Sequence, residues 1–232
     1  MTISPLGDSA VAVVLGTEID EPTLRRVRAL TAAIRRARAP GIEDVVPAYA
    51  SVTVFYDPIR LAGGAAPPLE AVRRLVEACV SKIGHDVAAR SGEAGREIEI
   101  PVCYGGEHGP DLGEVAAHCG LGPDEVIDRH CGAVYEVHAV GFAPGFPYLG
   151  GLPSSLRTPR RATPRTCVPA GSVGIGGSQT GVYPFAMPGG WRIIGRTPLV
   201  LFQPERTPPA LLGSGDRVRF RALSAEEFSA WK

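Results

Sequence analysis

Lysine is almost missing from this chain: only Lys82 and Lys232 occur, so arginine carries nearly all the positive charge. That scarcity excludes whole chemistries. No GxxxxGK[ST] phosphate loop can be written, and neither lysine lies in a glycine-rich or polar cluster suited to a Schiff base. Phosphate or carboxylate must then be met by guanidinium forks, backbone N–H groups or a helix start. An excess of one charge sign is absent too. The 24 basic and 24 acidic residues balance, so no global field holds the protein on nucleic acid or an anionic membrane, and neither partner is expected. The five cysteines are odd in number and form no CxxC, which favours free buried thiols over a disulfide scaffold. No apolar run approaches the ~20 residues of a membrane span. The Met1 end, MTISPLGDSA, lacks the basic and apolar regions of a secretion signal, so a cytoplasmic location is expected.

What is present is ample material for a core: 44% of the residues are hydrophobic and 21% charged. Asp8–Leu15 reads as a strand, and Asp20 followed by Pro22 opens a helix in which Leu24, Val27, Leu30, Ile34 and Ala37 recur at helical spacing until Pro40-Gly41. Val45–Tyr56 alternates as one long strand or two short ones, and Leu69–Ile83 forms a second amphipathic helix. With Ile98–Tyr104 as a fourth strand, these elements predict a ferredoxin-like α/β domain. The polar stretch Arg90–Arg96 supplies a boundary, giving domains over residues 1–92 and 93–232. Beyond it, short β-like runs at Val134–Val140, Arg192–Gly195, Pro198–Phe202 and Asp216–Phe220 are separated by Gly/Pro turns. That pattern indicates a barrel or sandwich.

Polar groups concentrate on glycine- and proline-rich backbone in YGGEHGPDL (Tyr104–Leu112), GFAPGFPYLGGL (Gly141–Leu152), RRATPRTCVPAGSVGIGGSQTGVY (Arg160–Tyr183) and PGGWRIIGRTP (Pro188–Pro198). Such backbone lets a ligand approach main-chain N–H groups, although each glycine taken singly is explained equally by a turn. Taken in this order, the segments resemble the family of 5-oxoprolinase B-type subunits, also called KipI or allophanate hydrolase subunit 1. The resemblance extends over nearly the whole chain and implies an α+β protein whose second part is a cyclophilin-like β-barrel. It also implies a heteromeric, ATP-dependent hydrolase that opens 5-oxo-L-proline to L-glutamate. Two partners follow from it: a C-type subunit, related to KipA or allophanate hydrolase subunit 2, with which the active site is shared, and the A-type subunit of 5-oxoprolinase.

Opening a lactam by phosphorylating its oxygen calls for cations on the phosphates, Mg²⁺ held by carboxylates, and a base for water. ATP and Mg²⁺ are therefore the implied cofactors, bound at least partly by the partner proteins. Arg165 and Arg196 are the expected phosphate or carboxylate clamps, with Arg160, Arg161 and Arg192 nearby. His138, on the strand before GFAPGFPYL, is the candidate base, although a lone strand histidine is also satisfied as a structural residue. Glu107 is the candidate Mg²⁺ ligand. Asp111 with Glu114 instead spells a capping box for the helix Leu112–Cys119. Gln179 and Tyr183, taken to flank a tight Thr180-Gly181 turn, offer an amide and a phenol for a lactam. Gly177 and Ser178 lie in the same loop. Phe142 and Phe146 form a pocket wall or, equally, barrel core.

Rival classes fit less well. A serine amidase built on Gly176-Gly177-Ser178 lacks the lysine its triad requires, and His118-Cys119 with His130-Cys131 has no CxxC or HxxxH pair for zinc. The arginines from Arg25 to Arg38 read as a solvated helix face. The resemblance leaves two alternatives open: a regulatory protein that inhibits a sensor histidine kinase, as KipI does, and one component of a hydrolase for allophanate or another amide.

Overall fold

The computed structural model describes residues 1–18, 20–64, 66–84 and 95–231, and the chain divides into two compact units, Met1–Ala94 and Gly95–Lys232. The boundary expected at 92/93 lies outside the described residues.

The first unit runs β1 (Thr2–Leu6), β2 (Ala10–Val14), α1 (Glu21–Ala37), β3 (Ile42–Ala48), β4 (Ser51–Tyr56), a short α2 (Pro58–Leu61) and α3 (Pro68–Gly84). Helix α1 starts where the sequence says it should. The Asp20 side chain accepts from Thr23 N at 2.7 Å, and Pro22 sits in the first turn, where its missing N–H costs nothing. Arg38, with φ 44, ends the helix. The apolar stripe Val27, Leu30 and Ile34 packs on Val11, Val13, Val45, Val52 and Val54 of the sheet and on Val72, Val76 and Cys79 of α3. Truncating Leu30, 1% exposed at the centre of this cluster, to alanine costs about 2–5 kcal/mol.

The sheet has strand order β1-β2-β4-β3 with antiparallel neighbours, which is the ferredoxin-like order. Its fourth strand is not Ile98–Tyr104, as the sequence suggested. The N-terminal Thr2–Leu6 pairs along β2 and takes that place.

The second unit contains β5 (Glu97–Tyr104), α4 (Leu112–Cys119), α5 (Pro123–Gly132), β6 (Tyr135–Val140), β7 (Pro147–Gly150), β8 (Arg165–Val168), β9 (Ser172–Gly176), β10 (Gln179–Val182), β11 (Met187–Gly189), β12 (Arg192–Arg196), β13 (Arg217–Leu223) and α6 (Ala225–Ala230). Seven of these strands close a cyclophilin-like barrel in the order β10-β7-β6-β13-β5-β12-β9, while β8 and β11 form a separate ribbon. Alternation sets the inside: Ile100, Val102, Val137, Val173, Ile175, Val218 and Phe220 fill the interior together with Val115 of α4 and Val126 of α5. On β13 the intervening arginines face outward, and Arg219 and Arg221 meet Glu97 and Glu99 across the parallel β5 pair. Pro198–Phe202, expected as a strand, makes only an isolated bridge between Phe202 and Ala210. Among the described residues no helix is long and apolar enough to cross a membrane.

Candidate functional site

Asp111 is 1% exposed and accepts four hydrogen bonds. Arg165 Nη1 and Nη2 approach its two carboxylate oxygens at 2.8 Å each, Arg161 Nη1 at 3.1 Å, and the backbone N–H of Ile193 at 2.7 Å. The expected capping box is therefore a misreading. Asp111 occupies the position before α4, but its side chain makes no cap, and Glu114 pairs with Arg192 instead. A carboxylate buried this deeply must be satisfied by cations, which the helix N-terminus alone does not supply. Burial pushes the Asp111 carboxyl up, yet the Arg165 and Ile193 hydrogen bonds and the charges on Arg165 and Arg161 outweigh it. The group ends below its ordinary value. Arg165 is correspondingly raised by the hydrogen bond to Asp111.

Beside this network lies a pocket of about 140 Å³ lined in part by Glu107, His108, Arg165, Cys167, Ser172 and Arg196. Three strands and the loop between β5 and α4, which carries Glu107 and His108, bring these residues together. β8 carries Arg165, β12 carries Arg196, and β9 begins at Ser172, whose register partner is Arg196. The turn between β8 and β9 needs Gly171, at φ +80, because a Cβ there would sit 2.3 Å from Thr197 O. That close pass lets Arg196 Nε donate to Ala170 O at 2.8 Å. Among the described residues Arg196 has no carboxylate partner, although it is half-buried. Two guanidinium groups share the single charge of Asp111, and Arg196 adds a third. The Nε of Arg161 is itself buried without a hydrogen-bond partner. Even with Glu107 at the rim, three guanidinium groups face two carboxylates, so the pocket side of the barrel keeps an excess of one positive charge, which suits an anion.

Of the residues the sequence singled out, the pocket gathers Glu107, Arg165 and Arg196. The others lie elsewhere. Phe146 and Tyr183, each 2% exposed, form a core cluster with Val168, Trp191 and Ile193, with ring centroids 5.2 Å apart for Phe146 and Tyr183 and 5.6 Å for Phe146 and Trp191. They pack in that cluster, which adjoins the pocket through Ile193, and neither lines the pocket itself. Phe142 is 73% exposed at φ 70 and does not line this pocket. His138 falls at the irregularity between Val137 and Ala139 in the β6–β7 pairing, and its ring lies over Gly150, where a Cβ would come within 1.8 Å. Alternation along β6 puts His138 on the face of Glu136 and Val140, opposite the buried Val137 and Ala139, and it is not among the residues that line the pocket. Gln179 opens β10, and the turn it flanks is Gly177-Ser178, not Thr180-Gly181, which lies inside the strand. Gly177, at φ +67, is tied to Thr158 O through its N–H at 2.8 Å. Glu107, with its side chain 88% exposed, has His108 at 3.8 Å, and among the described residues no group of three or more His, Cys, Asp or Glu gathers to hold a metal.

A second buried network surrounds His130, which the sequence offered only as part of a rejected zinc site. His130 is fully buried, with Tyr104 Oη 2.8 Å from Nδ1 and Thr180 Oγ1 3.0 Å from Nε2. Since Thr180 donates onward to Gly174 O at 3.0 Å, its oxygen accepts from Nε2–H, and Nδ1 accepts from the tyrosine hydroxyl. Desolvation accordingly depresses the imidazole to about 3. This neutral histidine ties β5 and α5 to β10 and plays no part in the pocket.

Comparison with known proteins places this architecture. The chain is 47% identical over 234 residues to the B-type subunit of 5-oxoprolinase from Bacillus subtilis (strain 168), covering 99% of this chain and 96% of the relative. Among solved structures, a conserved uncharacterized protein from Pyrococcus horikoshii matches at 43% identity with a TM-score of 0.56, covering 98% of this chain and 100% of that one. The protein TTHA0988 matches at 38% identity with a TM-score of 0.76 over 93% of this chain, which spans only 40% of that longer one. The family model for the carboxyltransferase domain, subdomain C and D, matches residues 1–212, and the chain belongs to that family.

Proposed function

We propose that this chain is the B-type subunit of an ATP-dependent 5-oxoprolinase, which converts 5-oxo-L-proline, ATP and water to L-glutamate, ADP and phosphate together with the C-type and A-type subunits. The observation that carries this assignment is the 47% identity to a 5-oxoprolinase B-type subunit over nearly the full length of both chains. The pocket agrees with it in size and charge. At about 140 Å³ it is below the roughly 300–1,000 Å³ of sites for drug-sized ligands, so it suits one small ring acid.

The same dimensions speak against a complete Mg²⁺·ATP site in this pocket. The pocket has no room for a nucleotide, Glu107 is the only carboxylate among its lining residues, no lysine lines it, and the sequence contains no P-loop. ATP and Mg²⁺ are therefore assigned to the partner proteins, and this chain contributes the arginine-lined wall of a shared site. That wall binds and orients the substrate, and the barrel behind it keeps the guanidinium groups from reorganising.

The test is reconstitution. The chain is co-expressed with the C-type partner and combined with the A-type partner, and ATP-dependent release of glutamate from 5-oxoproline is compared with each protein alone. Glutamate formed only in the full mixture supports the assignment. A stable complex without glutamate redirects it to another amide substrate, allophanate included, or to regulation of a partner protein.

A further inference from the structure

We infer that the pocket between β8 and β12 is a carboxylate subsite, in which Arg196 and Arg165 grip the acid group of the substrate and Asp111 is the positioning residue that aims Arg165. The identity of that acid as 5-oxoproline rests on the proposed function.

The balance of charge carries the inference. Asp111, the sole buried acid of the network, is already saturated by Arg165, Arg161 and the Ile193 N–H. Arg196 faces the same pocket with its Nε fixed on Ala170 O and no acidic partner among the described residues. A half-buried guanidinium without a counter-charge is costly to maintain, and the planar fork of arginine matches a carboxylate in two-point contact. Glu107 does not fill the role, because its side chain is 88% exposed at the rim. Anchoring also matters. Arg165 spends its end-on fork on Asp111, so its contribution to a substrate carboxylate comes through its remaining N–H donors, and its position is set by Asp111 and not by rotamer freedom. Arg196 keeps both terminal nitrogens for the two-point contact.

The pocket contains its own reporter. Cys167 lines it and is exposed, whereas Cys79 and Cys103 are buried and Cys119 and Cys131 half-buried. In the purified full-length chain, the rate of iodoacetamide alkylation at Cys167 is followed by peptide mass spectrometry with 5-oxoproline, with 2-pyrrolidinone (the same ring without its acid) and with inorganic phosphate. 5-Oxoproline is expected to slow alkylation saturably, and 2-pyrrolidinone to have no effect. Arg196→Gln should weaken that protection roughly 10- to 100-fold. Asp111→Asn should weaken it similarly, with partial recovery in Asp111→Glu, a pattern that general loosening of the fold does not give. Equal protection by both ring compounds, protection by phosphate alone, or unchanged protection in Arg196→Gln overturns the carboxylate subsite.

Reconstituted turnover separates the two conclusions. Glutamate formation without Cys167 protection removes the subsite and leaves the function standing. Protection without glutamate formation keeps the subsite and removes the function.

Discussion

Asp111 and Arg165 meet in a two-point contact, Nη1 on one carboxylate oxygen and Nη2 on the other, each at 2.8 Å, across 54 residues of chain. The pair fastens the loop before α4 to the β8 ribbon, and the Ile193 N–H adds β12 to the same carboxylate. Removing Asp111 strands two guanidinium groups and one backbone donor. Asp111→Ala should therefore cost about 2–4 kcal/mol, less than a fully buried pair would, because Arg161 and Arg165 keep some access to water. The urea midpoint measures this. A loss near zero would mean that the network contributes nothing to stability.

The His130 network makes a separate prediction about pH. In the unfolded chain this imidazole takes a proton near its ordinary value of 6.5, while in the folded barrel it stays neutral down to about 3. Between those values the unfolded state binds more protons, so stability falls as the pH drops through the window, by up to about 1.4 kcal/mol per pH unit. Asp111 works in a different window. Its folded value lies below 3.8, so the stability it contributes is present above that pH and is lost only in stronger acid. Urea midpoints at pH 7 and pH 5 thus isolate the histidine, and His130→Gln should flatten the difference. An unchanged slope in that variant assigns the pH dependence to another group.

Local signals were legible in the sequence, and long-range ones were not. Asp20, Pro22 and the stripe Val27, Leu30, Ile34 announced α1 because caps and helical periodicity act within a few residues. The same local logic misread Asp111, where a capping pattern was overridden by two arginines some fifty residues downstream. Ile98–Tyr104 was recognisable as a strand, yet its partners β12 and β13 both lie some ninety or more residues further along the chain, so its sheet was misassigned. Thr2–Leu6 left no trace because four of its five residues are exposed, which erases alternation. Within the site, Arg165 and Arg196 stood out against the scarcity of lysine. Ser172 and Cys167 did not, since only the turn at Gly171 brings them to the pocket.

Phe142 carries a backbone cost that can be tested without touching the pocket. A non-glycine residue at φ 70 costs roughly 1–2 kcal/mol, and glycine gives back roughly 0.5–1 kcal/mol of that through its greater unfolded-state entropy. With the ring 73% exposed, little packing is lost. Phe142→Gly should raise stability by about 0.5–1 kcal/mol, whereas Phe142→Ala, which keeps the strained φ, should not. Thermal denaturation of the two variants side by side decides the point. Equal destabilisation would show that the ring contact with Phe146, at 6.0 Å between centroids, holds this loop in place.

Steady-state kinetics of the reconstituted enzyme distinguish what the two arginines grip. If they bind the acid group of the substrate, Arg196→Ala and Arg165→Lys should raise KM for 5-oxoproline by roughly 10- to 100-fold and leave KM for ATP unchanged. Lysine is an informative replacement at position 165, because it keeps the charge but cannot span both oxygens of Asp111. A rise in KM for ATP instead would place these guanidinium groups on phosphate. A fall in kcat with both KM values intact would mean that they act on charge developing in the transition state, so the pocket would hold the reacting centre and not the distant acid.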